Sequence, residues 1–393
     1  MDITERDRRR SVVFVAIARI ARSVAAGMIS IAFPYYIIVN LHYGASIIGL
    51  IYVAATIATA ALSFLVGVTT DTVGKRSTLL VTSALLPVSA LMVYFAHSLW
   101  MVVPAAMIGG YSATGSLAGG GVGGAVQPVQ NAVLADLVPK ERRTGYFSFF
   151  SFLAAASGAG GALIVGFFTI RDLFLGAALI AALGIPLLAF VSMKEQKGEL
   201  RTLKTRRTIG EFSVTGILNG FAQGLVIPFL IPFFLIVYHL SKTEMAVYAF
   251  WSGIIGAFAL LSAPLLERLF GFVKSMFVTR GIGTVLMVLF PVVRFLPFSI
   301  FVYLIAPAFR IAAVPIQQAE LTRRVDGDEM GRALGTNQVA RLVASAAGTG
   351  MSGYLIDGAL FEVPFFAYGI IMAANLYLYV RFFGGKKPVD EVE

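Results

Sequence analysis

Long apolar stretches alternate with short charged segments along the whole chain. Most stretches are about 20 residues or longer, which is the length an α-helix needs to cross a bilayer, and they lack the polar/apolar alternation of barrel strands. Hydrophobic residues make up 58% of the 393 residues, charged residues 13%, and the mean hydropathy is +0.84. We therefore predict an all-α membrane protein. Its twelve membrane-spanning helices are predicted near residues 12–39, 47–68, 78–96, 101–137, 144–170, 173–193, 209–237, 245–264, 275–296, 298–322, 333–356 and 363–383.

The basic residues are distributed unevenly between the two sides of these predicted helices. Outside the helices, only Arg171, Lys242 and Arg294 of the 31 Lys and Arg fall on the side opposite the N-terminus. The positive-inside rule then places both termini in the cytoplasm of a multi-pass plasma-membrane protein. This topology accounts for the net charge of +10 without a nucleic-acid partner. The basic side is expected to contact anionic membrane lipids.

Two internal repeats divide the chain. Residues 34–39, Pro-Tyr-Tyr-Ile-Ile-Val, return at 232–237 as Pro-Phe-Phe-Leu-Ile-Val, and the Pro-Val-Gln-Asn-Ala of 128–132 returns at 315–319 as Pro-Ile-Gln-Gln-Ala. The repeats predict two six-helix bundles of similar sequence and the same orientation. The predicted units are an N-terminal bundle over 1–193, a charged cytoplasmic linker over 194–208 and a C-terminal bundle over 209–393.

A polar motif lies between the second and third predicted helices, in what the sequence predicts to be a loop over residues 67–76. Its pattern is Gly67, Asp71, Gly74, Lys75 and Arg76. This pattern resembles the loop at the same place in the major facilitator superfamily. The resemblance implies two parallel six-helix repeats, transport by alternating access, and a gating role for the loop. We predict that the gate comprises Gly67, Asp71, Gly74, Lys75, Arg76, Glu141, Arg142, Glu267 and Arg332, with Asp71 near the N-terminal end of the eleventh helix.

The resemblance also implies a solute cavity lined chiefly by the first, fourth, seventh and tenth helices. Polar side chains on these helices avoid lipid and must face protein or water. Asn219 and Gln223 are four residues apart and share a helix face. The predicted substrate-binding residues are Arg22, Gln127, Gln130, Asn131, Asn219, Gln223, Arg310, Gln317 and Arg341. The alternative for each amide is that it only bridges neighbouring helices.

The depth of the arginines within the predicted helices bears on the charge of the solute. With a rise of about 1.5 Å per residue, Arg310 lies roughly 18 Å into its helix, and Arg22 and Arg341 lie about 12 to 15 Å deep. Arg19 and Arg280 are shallower and are predicted to snorkel toward the inner interface. The carboxylates closest to the cavity fall near cytoplasmic helix ends: Asp71, Asp136, Glu211, Glu267 and Glu320. The cavity is therefore predicted to be cationic and to prefer an anionic or polar solute. In the alternative, Glu320 or backbone carbonyls satisfy Arg310 and Arg341.

Two further sequence features are the glycines within the predicted helices and two positions that differ from superfamily patterns. Glycines at 158, 160, 161, 348, 350 and 353 are predicted to allow close helix contact, and eight glycines over 109–124 predict either a broken fourth helix or a loop before an ordinary one. Ser116 stands where proton-linked members carry Arg, and residues 156–161 lack the proline of drug antiporters.

We predict a monomeric secondary transporter for a small solute, without cofactor or metal. The alternatives are a multidrug efflux carrier, supported by 32 Phe and 12 Met, and a transport-dead sensor or scaffold. No nucleophile/base pair or phosphate loop supports an enzyme.

Overall fold

The computed structural model describes residues 5–111, 124–138, 143–193, 206–324, 330–358 and 360–384. All regular secondary structure within these ranges is helical, as predicted. The α-helices are α1 Glu5–Tyr35, α2 Ala45–Thr72, α3 Lys75–Phe95, α4 Leu99–Gly109, α5 Gln127–Leu137, α6 Arg143–Ile164, α7 Ile170–Leu183, α8 Ile185–Ala189, α9 Arg206–Val226, α10 Leu230–Val237, α11 Lys242–Val292, α12 Leu296–Arg324, α13 Met330–Asp357 and α14 Val363–Phe383. A π-helical turn follows α1 at Tyr36–Asn40, and 3₁₀ turns precede α5 and α10.

Nine helical stretches in the described part of the chain are long and apolar enough to cross a membrane. One of them, α11, is counted once although its backbone breaks at Gly271, where φ is 69° and ψ is 176°. This break lies between the predicted eighth and ninth spanning helices. The shorter apolar helix α4 adds a further element. The count of twelve and the cytoplasmic placement of the termini stay predictions.

The predicted fourth span over 101–137 is not one continuous helix. Helix α4 ends at Gly109, and Gly110 adopts a left-handed conformation with φ of 59°. Such a glycine just past the last helical residue ends a helix at little steric cost. Helix α5 begins only at Gln127, after a 3₁₀ turn at Gly124–Val126. Most of the glycine-rich stretch lies outside the described residues.

The predicted loop over residues 67–76 is shorter in the structure. Helix α2 continues to Thr72 and α3 begins at Lys75, so only Val73 and Gly74 lie between them. The extent of the predicted loop was therefore wrong. The polar residues at the end of α2 fit a helix, since the Thr69 hydroxyl donates to the Leu65 carbonyl at 2.9 Å. Gly74 has φ of 113°, a conformation that favours glycine and turns the chain sharply.

Glycines bring helix backbones together at two related places. A Cβ on Gly161 of α6 would lie 2.0 Å from the Val24 carbonyl oxygen of α1, and one on Gly348 of α13 would lie 2.2 Å from the Phe221 carbonyl oxygen of α9. Close contact at these two glycines is as predicted. Gly160 is different, because a Cβ there would meet nothing within 4 Å. The prediction of close contact at Gly160 was wrong because the residue faces away from α1.

The part of the chain before residues 194–205 packs against the part after them through two pairs of helices. We call residues 5–193 the first half and residues 206–384 the second half. Within the first half, α1 packs on α6 and α7, and α3 packs on α4 and α7. Within the second half, α9 packs on α13 and α14, and α11 packs on α12 and α14. Between the halves, α2 packs along α13 and α6 packs along α11.

Candidate functional site

Three arginines of the second half lie close to one another on three different helices. Arg310 of α12 donates to Oε1 of Gln223 at 3.4 Å, and Nε2 of Gln223 donates to Oδ1 of Asn219 at 2.9 Å. The two amides of α9 thus contact each other along one helix face, as their spacing predicts. Arg341 of α13 donates to Gln338 at 3.0 Å. Arg341 also lies within electrostatic reach of Arg310 and Arg280.

Arg280 is the member of this group whose place the sequence prediction missed. Its side chain is only 6% exposed, so the predicted snorkelling was wrong. Its guanidinium donates to Gln317 at 2.6 Å and to Asn375 at 3.2 Å, and it lies 5.0 Å from the centre of the Tyr379 ring. These partners offset the loss of hydration that burial imposes on a charge. Arg280 therefore joins α11, α12 and α14 inside the second half.

Arg19 shows the same arrangement in the first half, and its predicted snorkelling was wrong for the same reason. It is 3% exposed, donates to Oδ1 of Asn131 at 3.3 Å, and lies 5.9 Å from the centre of the Phe150 ring. In the structure, Asn131 and Gln317 each accept a hydrogen bond from a buried arginine, and their predicted contact with a solute stays a prediction. The sequence did offer one indication of these pairs. Arg19 and Asn131 lie at similar depths in their predicted helices, and so do Arg280 and Gln317.

Arg22 and Gln130 lie at the same place in the first half. They line a small cavity together with Ser83 and parts of α7 and α8. Gln130 is buried, and its Oε1 atom has no hydrogen-bond partner among the residues that the structure describes. Ser83 Oγ is in the same situation. The side chain of Gln127 lies outside the described part of the structure.

Exposure separates the five arginines into two groups. Arg19 and Arg280 are buried and hydrogen-bonded to amides, whereas Arg22, Arg310 and Arg341 are partly buried and keep accessible surface. Residue exposure therefore singles out Arg22, Arg310 and Arg341 as the candidates for contact with a solute. The arrangement thus offers cationic hydrogen-bond donors from both halves of the chain.

Three of the carboxylates that the sequence placed at cytoplasmic helix ends pair with cations other than these arginines. Glu320 pairs with Arg324 at 2.5 Å, Glu211 pairs with Arg207 at 3.2 Å, and Asp136 pairs with Lys75 at 2.5 Å. Between described residues, Arg19, Arg280 and Arg341 form no ion pair. The alternative in which Glu320 neutralises Arg341 therefore lacks the required contact.

Two of the predicted gating residues bind helices of their own half. Lys75, at the start of α3, pairs with Asp136 near the end of α5, and Arg76 donates to the Ala189 carbonyl at the end of α8. Glu267 is partly buried in α11, four residues before the break at Gly271. Glu141 and Arg142 lie outside the described residues. So do the side chains of Asp71 and Arg332, although both residues are helical, and nothing is described around Gly67.

Comparisons with known proteins agree with this architecture. The family model for the Major Facilitator Superfamily matches residues 15–349. The fold is similar to the human organic anion transporter MFSD10 (TM-score 0.73, 14% identity, covering 94% of this chain and 99% of that one). It is also similar to the nucleoside transporter NupG (TM-score 0.73, 11% identity, 95% and 100% covered) and to a D-xylose-proton symporter (TM-score 0.71, 16% identity, 94% and 97% covered). No curated protein sequence matches the chain.

Proposed function

We propose that this chain, which belongs to the major facilitator superfamily of secondary transporters, moves a small organic anion or strongly polar solute across the plasma membrane. Membership rests on the family model, which matches most of the chain. Solute transport by alternating access follows from that membership. The charge of the solute is our inference from the arginines.

One observation supports the anionic solute above the others. Arg341 is only partly buried as a residue and lies within electrostatic reach of Arg310 and Arg280, while Glu320, the carboxylate that could have neutralised it, is buried against Arg324. Charges of one sign repel one another strongly where water is scarce. A bound anion would relieve this repulsion, and the planar guanidinium groups match the geometry of carboxylate and phosphate oxygens.

The residues proposed to meet the solute come from both halves. Arg22 and Gln130 represent the first half, and Asn219, Gln223, Arg310 and Arg341 represent the second. We propose that residues 1–193 and 209–393 form the two six-helix bundles, that both termini are cytoplasmic, and that the protein acts as a monomer. Rocking of one bundle against the other would then expose the arginines to each side in turn.

Uptake by proteoliposomes tests the proposal. A panel of organic anions, neutral sugars and lipophilic cations is offered to the purified, reconstituted protein, and initial rates are compared. Saturable uptake of an anion is the expected result. Saturable transport of lipophilic cations alone would instead favour multidrug efflux, and an absence of any transport would favour a sensor or scaffold.

The variant Arg341→Gln separates a binding role from a folding role. Loss of one hydrogen bond to a charged group is worth about 1.5 to 3 kcal/mol, so the solute concentration for half-maximal uptake should rise roughly 10- to 100-fold. The matched control is Arg207→Gln, which removes an arginine that is exposed at the start of α9. The control should transport like the parent. Equal behaviour of the two variants would remove Arg341 from the site.

A further inference from the structure

The two halves are hydrogen-bonded to each other at one end of the molecule. We call this the far end, because it is opposite the end that carries both termini of the described chain. Four hydrogen bonds between described residues join the halves, and all four lie at the far end. They are Tyr35 to the Leu240 carbonyl (2.8 Å), Ser46 N to Asp357 (3.0 Å), Thr243 to the Gly166 carbonyl (3.3 Å) and Lys242 to the Phe168 carbonyl.

Among the four, the contact of Asp357 is the one in which a carboxylate accepts a backbone N–H in the first turn of a helix of the other half. Helix α2 begins after Gly44, which supplies no side-chain cap. Oδ2 of Asp357, from the other half, accepts the hydrogen bond of Ser46 N in the first turn of α2. A Cβ on Gly44 would lie only 3.0 Å from Oδ1 of Asp357. The carboxylate therefore sits directly over an N-terminus that has no cap of its own.

Two other helices that start at this end, α7 and α11, are capped from within their own half, whereas α4 and α14 have no side-chain cap. Thr169 accepts from Asp172 N at the start of α7, and Ser241 with Glu244 forms a complete capping box at the start of α11. Such helices keep their caps whether or not the halves separate. Helix α2 keeps its cap only while α13 stays beside it.

Helix dipoles make this contact favour one conformation. Asp357 is the last residue of α13, where the partial negative charge of the helix C-terminus disfavours a carboxylate. The N-terminus of α2 carries the opposite partial charge. When the far end is closed, the carboxylate is held at a positive helix end, and when it opens, that interaction is lost to water.

We infer that Asp357 is a latch residue that holds the far end closed during transport. The packing below the contact fits this role, since Ala45, Phe229 and Ile356 form a buried apolar cluster beneath it. Gly49 and Gly353 let α2 and α13 approach closely, because a Cβ on Gly49 would lie 3.2 Å from the Cα of Gly353. The inference depends on alternating access and not on which solute is carried.

The test measures the opening of each end directly. Because the chain contains no cysteine, pairs of spin labels can be attached at introduced cysteines without further changes. Trp100 and Leu360, 91% and 51% exposed, report the distance across the far end, and Phe190 with Leu269 reports the opposite end. Distance distributions are recorded by pulsed electron paramagnetic resonance for the parent, for Asp357→Asn and for a control.

The control is Glu362→Gln, which neutralises another far-end carboxylate. Glu362 pairs with Arg294 at 2.9 Å inside the second half, so its loss breaks no contact between the halves. Asp357→Asn should raise the population of the long far-end distance about two- to fivefold, the range expected for one anion at a helix N-terminus. The Phe190–Leu269 distance should shorten in the same molecules, and Glu362→Gln should match the parent.

Two results would overturn the latch. Unchanged distances in Asp357→Asn would show that the contact does not set the equilibrium, and equal changes in Glu362→Gln would show a general effect of surface charge. If Asp357→Asn does not fold, Gly44→Ala gives the same test by crowding the carboxylate from the other side. Gly44→Ala should open the far end, and parental distances in that variant would contradict the inference.

Discussion

Substitution of Gly161 by alanine gives the sharpest test of the packing that holds the first half together. The added Cβ would lie 2.0 Å from the Val24 carbonyl oxygen, whereas ordinary contact begins at 3.4 Å. To bring the Cβ–oxygen distance from 2.0 Å to the 3.4 Å of ordinary contact, α1 and α6 must separate by about 1.4 Å. Overpacking of this kind costs about 1 to 3 kcal/mol, and a clash with rigid backbone belongs at the upper end.

Gly160→Ala is the matched control for Gly161→Ala. Both changes add one methyl group to the same helix and gain the same propensity of roughly 1 kcal/mol, but the Cβ at position 160 meets nothing within 4 Å. The difference between the two variants therefore isolates the clash. Gly161→Ala should unfold at lower temperature or denaturant than Gly160→Ala, measured on the purified protein in detergent. Equal stability of the two would refute the proposed contact between α1 and α6.

Three further predictions concern polar contacts and the second half. Arg280→Gln should destabilise the protein by about 1 to 3 kcal/mol, because Gln317 and Asn375 lose a charged hydrogen-bond donor. The solute affinity of the protein that remains folded should change less than it does in Arg341→Gln. Thermal unfolding together with uptake kinetics checks this, and a large affinity loss at parental stability would contradict it. Lys75→Asp should slow maximal uptake by breaking the pair with Asp136, and the charge swap Lys75→Asp with Asp136→Lys should restore part of the rate. No recovery would show that the pair itself is unimportant. Gly348→Ala should destabilise the second half as Gly161→Ala does the first, and parental unfolding would contradict the equivalence of the two contacts.

The helices and several of their contacts follow from local sequence. Apolar runs bounded by charges predicted the long helices, and the motif that contains Gly74 was correctly placed between two of them. The end of α2 was misjudged because Thr69 and its polar neighbours suggested a loop. A threonine can satisfy its hydroxyl on the preceding helical turn, and polarity alone therefore does not end a helix.

The burial of Arg19 and Arg280 could not be derived from depth along a helix. The rise per residue gives the axial position but not the direction in which a side chain points or what faces it. Asn375, a partner of Arg280, lies far along the chain on α14, and only the tertiary packing brings the two together. The contact between Asp357 and α2 joins the two halves and depends on how they sit in this conformation. Neither contact has a local sequence pattern.

The most direct test of the cationic site is the equilibrium affinity of the purified protein for two solutes that differ only in charge. A carboxylate that the uptake panel identifies is compared with its carboxamide by calorimetric titration, in the parent and in Arg341→Gln. The parent should bind the carboxylate at least about tenfold more tightly than the carboxamide, and Arg341→Gln should lose most of this preference. Equal affinity of the parent for both solutes, or an undiminished preference in Arg341→Gln, would contradict the cationic site.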